Sequence, residues 1–332
     1  MSEIGAFNPF DLPHALVEPA IRMLRTGNTL LDAMFYDVNV LSDQLRARGD
    51  AIDVDAGGKP PSDAARITDA LRDIDLGALS DPEGSILIID TKHAPYITVF
   101  RDVPSFLVRA HAQPVIETVS ITGVGSSALG SAAFAWNISA AIGEPVAAIV
   151  PGYGLADVMQ QALGGWFIGM HGWMIKQTAQ NALALGAPAL ARIGRGLLAT
   201  APGHHELNDA PVFTRGSGSA DVLHAILDAA PRITRLFGHS KGALVIESAL
   251  AGQAPSQPLN IVTFGCPIGE DVPGARYEQF LGLLDWLGAL NAWGNAPEKT
   301  PLACHSTNTR LPLSMGVKAL ASRGSAGLRR DP

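Results

Sequence analysis

Residues 233–250 read ITRLFGHSKGALVIESAL: an apolar run, a serine set between two glycines, and a run with helical spacing. A strand that turns straight into a helix constrains the fold more than any other segment of this chain. A related order stands upstream. VIETVSIT (115–122) reads as a strand, GVGSSALG as a glycine-rich turn, the alanine-rich stretch to about 142 as a helix, and PVAAIV (145–150) as a buried strand. Strand, turn, helix and strand in that order form a βαβ unit, which implies parallel pairing.

Around these units the remaining text is assigned by period and punctuation. SILIID (85–90) and YITVFR (96–101), joined by a short polar stretch, read as an antiparallel pair. Residues 13–50 read as helical, 53–62 as a Gly/Pro/Asp loop and 62–73 as a short helix. The stretch 155–200 is mostly helical and apolar, followed by a loop with His204, His205 and Glu206 and a helix over 219–230. NIVTFG (260–265) is a further strand, and FLGLLD (280–285) is read as one more, with a helix left open there. The expected class is α/β, a mostly parallel central sheet with helices on both faces. The domain plan is a helical extension over 1–80, the α/β domain over 81–320 with a helical cap or lid inserted at 155–218, and a polar tail over 321–332. Whether the N-terminal helices pack on the sheet, cover the site or bind a hydrophobic surface stays open.

Composition removes several classes of function. With 332 residues, 47% of them hydrophobic and 17% charged, the chain can bury a large core. A net charge of −7 with no Lys/Arg cluster argues against a nucleic-acid surface. Cys266 and Cys304 are too few and too far apart for a disulfide framework or a zinc site. The N-terminus lacks the basic start and apolar core of a secretory signal, and GGWFIGMHGWMI (164–175) is too short to span a bilayer. A cytoplasmic location is therefore expected, with contact at a lipid surface and the oligomeric state left open.

Gly238-His239-Ser240-Lys241-Gly242 satisfies G-x-S-x-G. The spacing is steric: a sharp turn holds the serine strained, and glycines two positions either side let strand and helix approach closely. The N–H of the residue after the serine then points to the anion-binding end of the helix. LFGHSKGALVIESAL followed by NIVTFGCPIG resembles the core of the class 3 (fungal-type) lipases of the α/β-hydrolase superfamily, in which a GHS-x-G elbow, its helix and a T-F-G-x-P strand end follow one another. The likeness spans roughly residues 233–310; upstream it is one of topology. Lys241 stands where lipases often have leucine, and Ala243 where glycine is frequent. Because the backbone at 241 does the work, neither departure removes the chemistry, although the substrate is less constrained.

A serine nucleophile needs a base for its proton and an acid to orient that base, in the chain order Ser, Asp/Glu, His for this fold. His305 is the sole histidine after Ser240. Of the acids Glu247, Glu270, Asp271, Glu278, Asp285 and Glu298, Asp285 falls where the resemblance puts the acid. Asp271 is the alternative, and a helix or turn cap is the plain structural reading of Asp285. His239 must direct its side chain away from that of Ser240. The resemblance also implies an oxyanion hole from the Lys241 N–H and the loop after the third strand, near Val124 and Gly125, with PGYG (151–154) as a rival loop. Tyr153, Trp166, Phe167 and Trp173 are candidate pocket or lid residues. GVGSSALG lacks the third glycine of a dinucleotide fingerprint, and His204 and His205 lack a third metal partner. The expectation is a hydrolase of carboxylic esters that uses neither metal nor organic cofactor. Acyl transfer or polyester-oligomer cleavage with the same triad, and a non-catalytic protein binding a lipid or polymer surface, are the alternatives.

Overall fold

In a computed structural model of the chain, the structure describes residues 31–48, 52–54, 84–151, 181–186, 204–251 and 255–328, apart from 101, 113, 124, 125, 183, 184, 208, 209, 214, 216, 231, 256 and 293. Its centre is a mixed eight-stranded sheet in the order β1-β3-β2-β5-β4-β8-β9-β10. The strands are β1 Ile52–Val54, β2 Ile86–Ile89, β3 Ile97–Phe100, β4 Thr118–Ile121, β5 Val146–Ile149, β8 Arg235–His239, β9 Asn260–Phe264 and β10 Arg276–Phe280. A separate antiparallel hairpin pairs β6 (His204–Leu207) with β7 (Ala210–Phe213). The protein is thus of the α/β class.

The central strands follow from their residues. ILII, TVSI and VAAI are buried at every position, as strands covered on both faces must be. Leu87 and Ile89 point into one apolar cluster, Ile86 and Ile88 into the other, the two-residue period of a pleated strand. β4 pairs in parallel with both β5 and β8, and β8 with β9. β2 runs antiparallel to β3 and to β5, as the hairpin reading of 85–101 required.

Helices cover both faces. One layer holds α1 (Val38–Arg48), α3 (Ala128–Ile142) and α7 (Val317–Leu328); the other holds α2 (Val103–Ala110), α4 (Gly218–Ala229) and α5 (Lys241–Leu250). A short α6 (Trp286–Asn291) follows β10. α3 is buried almost all round, consistent with its small apolar residues. It opens on the N-cap Ser127, whose hydroxyl accepts from the Leu129 N–H at 3.1 Å, and closes on Gly143 at φ 73°.

Four expectations need correction. The boundary at residue 80 does not separate two bodies, because β1 extends the sheet beside β3 and residues 31–48 pack into the core. Strand β10 is RYEQF rather than FLGLLD, and residues 281–285 form the loop after it. His204–Glu206 lie in a strand rather than a loop, so the insertion at 155–218 is not wholly helical; most of 152–203 lies outside the described residues. The tail from 321 continues α7 to Leu328, with Ala321 buried.

Candidate active site

The parallel strands β4, β8 and β9 end together, where an open α/β sheet forms its crevice. Ser240 follows β8 directly with φ 54° and ψ −130°, a backbone well that costs a non-glycine residue about 1–3 kcal/mol. Such a turn persists only where its surroundings hold it. Gly238 lies against the backbone of Ala243, and Gly242 against the carbonyl of Ile121 on β4; a Cβ on either would collide. Those two contacts are the physical content of the G-x-S-x-G spacing. Ser240 occupies the N-cap of α5, yet its hydroxyl makes no capping bond. The hydroxyl instead faces His305 Nε2 at 2.9 Å.

His305 Nδ1 lies 2.8 Å from Asp285 Oδ1. That same oxygen accepts the Gly288 N–H at 2.6 Å, so Asp285 caps α6 while facing the imidazole. Asp285 thus stands at the cap and within hydrogen-bond distance of the imidazole at once. Two loops bring acid and histidine together by pairing like strands: Leu281 N–H donates to the Lys299 carbonyl, Leu283 N–H to that of Pro301, and Leu284 N–H to that of Ala303. Asp271 and the other acids do not contact His305. Glu247 instead accepts the Gly269 N–H at 3.1 Å and Glu270 accepts from Gln279 at 3.2 Å.

Gly265, at the end of β9, explains why TFGCP belongs beside GHSKG. Its φ is 66°, and a Cβ there would stand 2.9 Å from Asp285 Oδ2 and 3.0 Å from His305 Nδ1. Only glycine satisfies both the left-handed backbone and the space.

The loop after β4 also reaches the serine. A Cβ on Gly123 would lie 3.2 Å from Ser240 Cβ and 3.5 Å from its Oγ. Val124, Gly125, Tyr153, Trp166, Phe167 and Trp173 lie outside the described residues. Lys241 is the first residue of α5, adjoining the serine.

Residues 31–37 contribute a part of the site that the amphipathic reading of the N-terminal helices did not disclose. The carbonyls of Ala33, Met34 and Phe35 accept from the side chains of Asn308 (2.6 Å), Ser306 (2.7 Å) and Thr307 (2.6 Å). Asp37 Oδ1 accepts both the N–H and the hydroxyl of Thr309 at 2.7 Å, and its Oδ2 accepts from Asn137 at 2.6 Å. The Phe35 ring meets the His305 ring edge-on, centroids 5.7 Å apart. Nothing in the sequence singles these residues out, because main-chain carbonyls carry the contact and their identity is invisible in side-chain patterns. His239 is buried between Tyr36 and the His305 loop, turned away from Ser240 as adjacency requires.

Asp32 is buried at the start of α3, its Oδ2 accepting the N–H (2.9 Å) and hydroxyl (2.5 Å) of Ser127. Burial pushes its carboxyl up to about 7, with the Ser127 bonds opposing the rise. A group whose folded value lies above its unfolded one binds extra protons in the folded state. Stability from Asp32 is therefore present at low pH and lost as pH rises from about 4 toward about 7. Asp32→Asn should remove that loss, so the variant gains on the wild type across the window. Urea midpoints of both proteins at pH 4.5, 6 and 8, all about the window the carboxyl sets, would check it; a constant difference would contradict the titration.

Comparison of the chain with protein-family models, with curated proteins and with solved structures returned no match in any of the three. Its chemistry must therefore be argued from geometry. A hydroxyl, an imidazole and a carboxylate in one hydrogen-bonded row can move a proton from the hydroxyl oxygen and stabilise the charge left on the ring. Among the described residues no group of three or more His, Cys, Asp or Glu is arranged to hold a metal, and no helix is long and apolar enough to cross a membrane.

Proposed function

We propose that this chain is a serine hydrolase of carboxylic esters, lipase- or esterase-like, on an α/β-hydrolase fold. The observation that carries the reading is the row Ser240 Oγ–His305 Nε2 (2.9 Å) and His305 Nδ1–Asp285 Oδ1 (2.8 Å), presented by a serine at φ 54°. Ser240 attacks the ester carbonyl as His305 takes its proton. His305 then protonates the departing alcohol, leaving an acyl-Ser240 that water, deprotonated by the same imidazole, hydrolyses to free acid. Asp285 holds the proton on Nδ1 and balances the imidazolium.

The oxyanion is assigned to the Lys241 N–H and to the loop after β4. Within that loop Gly123 donates its N–H to Tyr36, Ser126 to the Gly123 carbonyl and Ser127 to Asp32. The second donor is assigned to Val124 or Gly125, as the lipase resemblance implies. The closeness of Gly123 to Ser240 favours this loop over PGYG, which follows β5, one strand further from β8. The substrate is assigned an apolar acyl or alkyl portion, because Leu283, Leu284, Leu302, Leu311 and Leu313 are exposed on the two loops that carry Asp285 and His305, and Trp286 is exposed at the start of α6.

A fluorophosphonate probe followed by a p-nitrophenyl ester series of rising chain length tests the reading. Labelling of Ser240 and turnover of the esters are expected, and an unlabelled Ser240 beside a reactive control hydrolase would sink it. Turnover with an alcohol acceptor in place of water would move the assignment to acyl transfer.

Gly265→Ala gives a second check. The added methyl must displace Asp285 and His305 by a fraction of an ångström, and kcat is expected to fall by about 10- to 100-fold, a misplacement of about 1 Å being worth about 100-fold. The strained φ adds about 1–2 kcal/mol of instability. An alanine variant with undiminished kcat would mean that the Asp285–His305 spacing is not critical.

A further inference from the structure

Tyr36 belongs to the N-terminal segment, and its hydroxyl reaches across to the middle of the site. Tyr36 Oη accepts the Gly123 N–H at 3.0 Å and lies 2.8 Å from His239 Nδ1. His239 Nε2 in turn lies 3.0 Å from the carbonyl oxygen of His305. All three links are buried, with Tyr36 2% and His239 1% exposed.

The direction of the protons in this row is fixed from its far end. A carbonyl can only accept, so His239 Nε2 carries a hydrogen and donates it to His305. Burial and the neighbouring His305 hold the His239 imidazole down at about 3, so the ring is neutral and Nδ1 is an acceptor. Tyr36 must then donate to Nδ1, which leaves its oxygen to accept from Gly123. Burial keeps the phenol protonated, well above its ordinary range. Edge-on ring contacts hold the pair: Tyr36 to His239 with centroids 5.2 Å apart, and Tyr36 to Phe134 at 6.0 Å.

The row therefore ties two parts of the site together. At one end is Gly123, which lies against Ser240 and whose carbonyl accepts the Ser126 N–H. At the other is the backbone of the residue whose ring faces Ser240. We propose that Tyr36 and His239 are positioning residues of the ester-hydrolase site, setting the distance between the oxyanion turn and the base through Gly123 and the His305 carbonyl. The inference rests on the hydrolase reading. His239, neutral with its ring centroid 5.0 Å from that of His305, also places no second positive charge beside the imidazolium that forms during the reaction.

The test compares the full-length wild type with Tyr36→Phe, His239→Gln and His239→Leu, measuring kcat and KM on p-nitrophenyl butyrate, the rate of fluorophosphonate labelling, and thermal melting. Tyr36→Phe keeps the ring packing and removes the hydroxyl. It is expected to lower kcat by about 10- to 100-fold with KM changed less than about threefold, since misplacing a donor by a fraction of an ångström acts in the transition state. Gln at 239 can still donate to the His305 carbonyl and Leu cannot, so activity should fall in the order wild type, His239→Gln, His239→Leu. That order carries the test should Tyr36→Phe fail to fold. A Tyr36→Phe enzyme with unchanged kcat and a lower melting temperature would overturn the proposal, as would equal activity of the Gln and Leu variants. A wild type that neither labels nor turns over an ester would overturn the hydrolase reading itself, a result distinct from either.

Discussion

Ser240→Ala is expected to abolish fluorophosphonate labelling and to lower kcat on a short p-nitrophenyl ester by about 10⁵- to 10⁶-fold, the loss seen when a triad nucleophile is removed. The fold should hardly register the change. The Ser240 hydroxyl caps nothing in α5, and its hydrogen bond is to His305 alone among the described residues. Alanine keeps the strained φ of 54°, so the melting temperature should stay close to that of the wild type. Ser240→Gly, which relaxes that strain, should instead gain about 1 kcal/mol while being equally inactive. Activity and stability thus move independently at one position, and a Ser240→Ala protein with kcat within tenfold of wild type would place the nucleophile elsewhere.

Asp285→Asn should lower kcat by about 10⁴-fold with stability nearly intact, whereas Asp285→Ala should cost a comparable activity and about 1 kcal/mol more stability. The separation follows from the two bonds to Oδ1. Asparagine can still accept the Gly288 N–H and cap α6, as Asn does well at that position. It cannot supply the charge that balances the imidazolium. In one orientation its amide nitrogen takes the place of Oδ2, beside Gly265 and Gly288, and the neutral amide oxygen meets the imidazole and the cap without the charge. In the other, which gives up the Gly288 cap and is therefore the less stable, it faces His305 Nδ1 and drives the imidazole proton to the wrong nitrogen. Urea midpoints with kcat for both variants give the comparison, and an Asp285→Asn enzyme within threefold of wild type would remove Asp285 from the row.

The sheet was readable where its strands are buried on both faces, because ILII, VAAI and TVSI are then continuous apolar runs. It was misread at its edges. β10 carries Arg276 exposed and Tyr277 and Glu278 half-buried, so its polar text hid a strand. The apolar LGLL beside it suggests a strand instead, although Leu283 and Leu284 are exposed in the loop before Asp285. β1 is three residues amid Gly, Asp and Pro and exists only by pairing with β3. Within the candidate site, the glycine spacing points to Ser240 and the lone downstream histidine to His305, whereas Asp285 stands out among the candidate acids only through the lipase resemblance. Tyr36 could not, since one buried phenol in a helical stretch has no local signature. Gly265 stands inside the TFGCP motif, but its role follows only from the Asp285–His305 pair in three dimensions.

The bonds between residues 33–37 and 306–309 join positions separated by about 270 residues. A ribosome adding about 5–20 residues per second needs on the order of 15–55 s to make that stretch. The turn bearing Ser240 leaves it 65 residues before the imidazole that serves it. On the ester-hydrolase reading, the nascent polypeptide carries a nucleophile with no base, and an anchor at residues 33–37 with no loop to hold, until residues 305–309 have been made. The order of synthesis itself would thus hold the proposed nucleophile idle until the two distant segments meet.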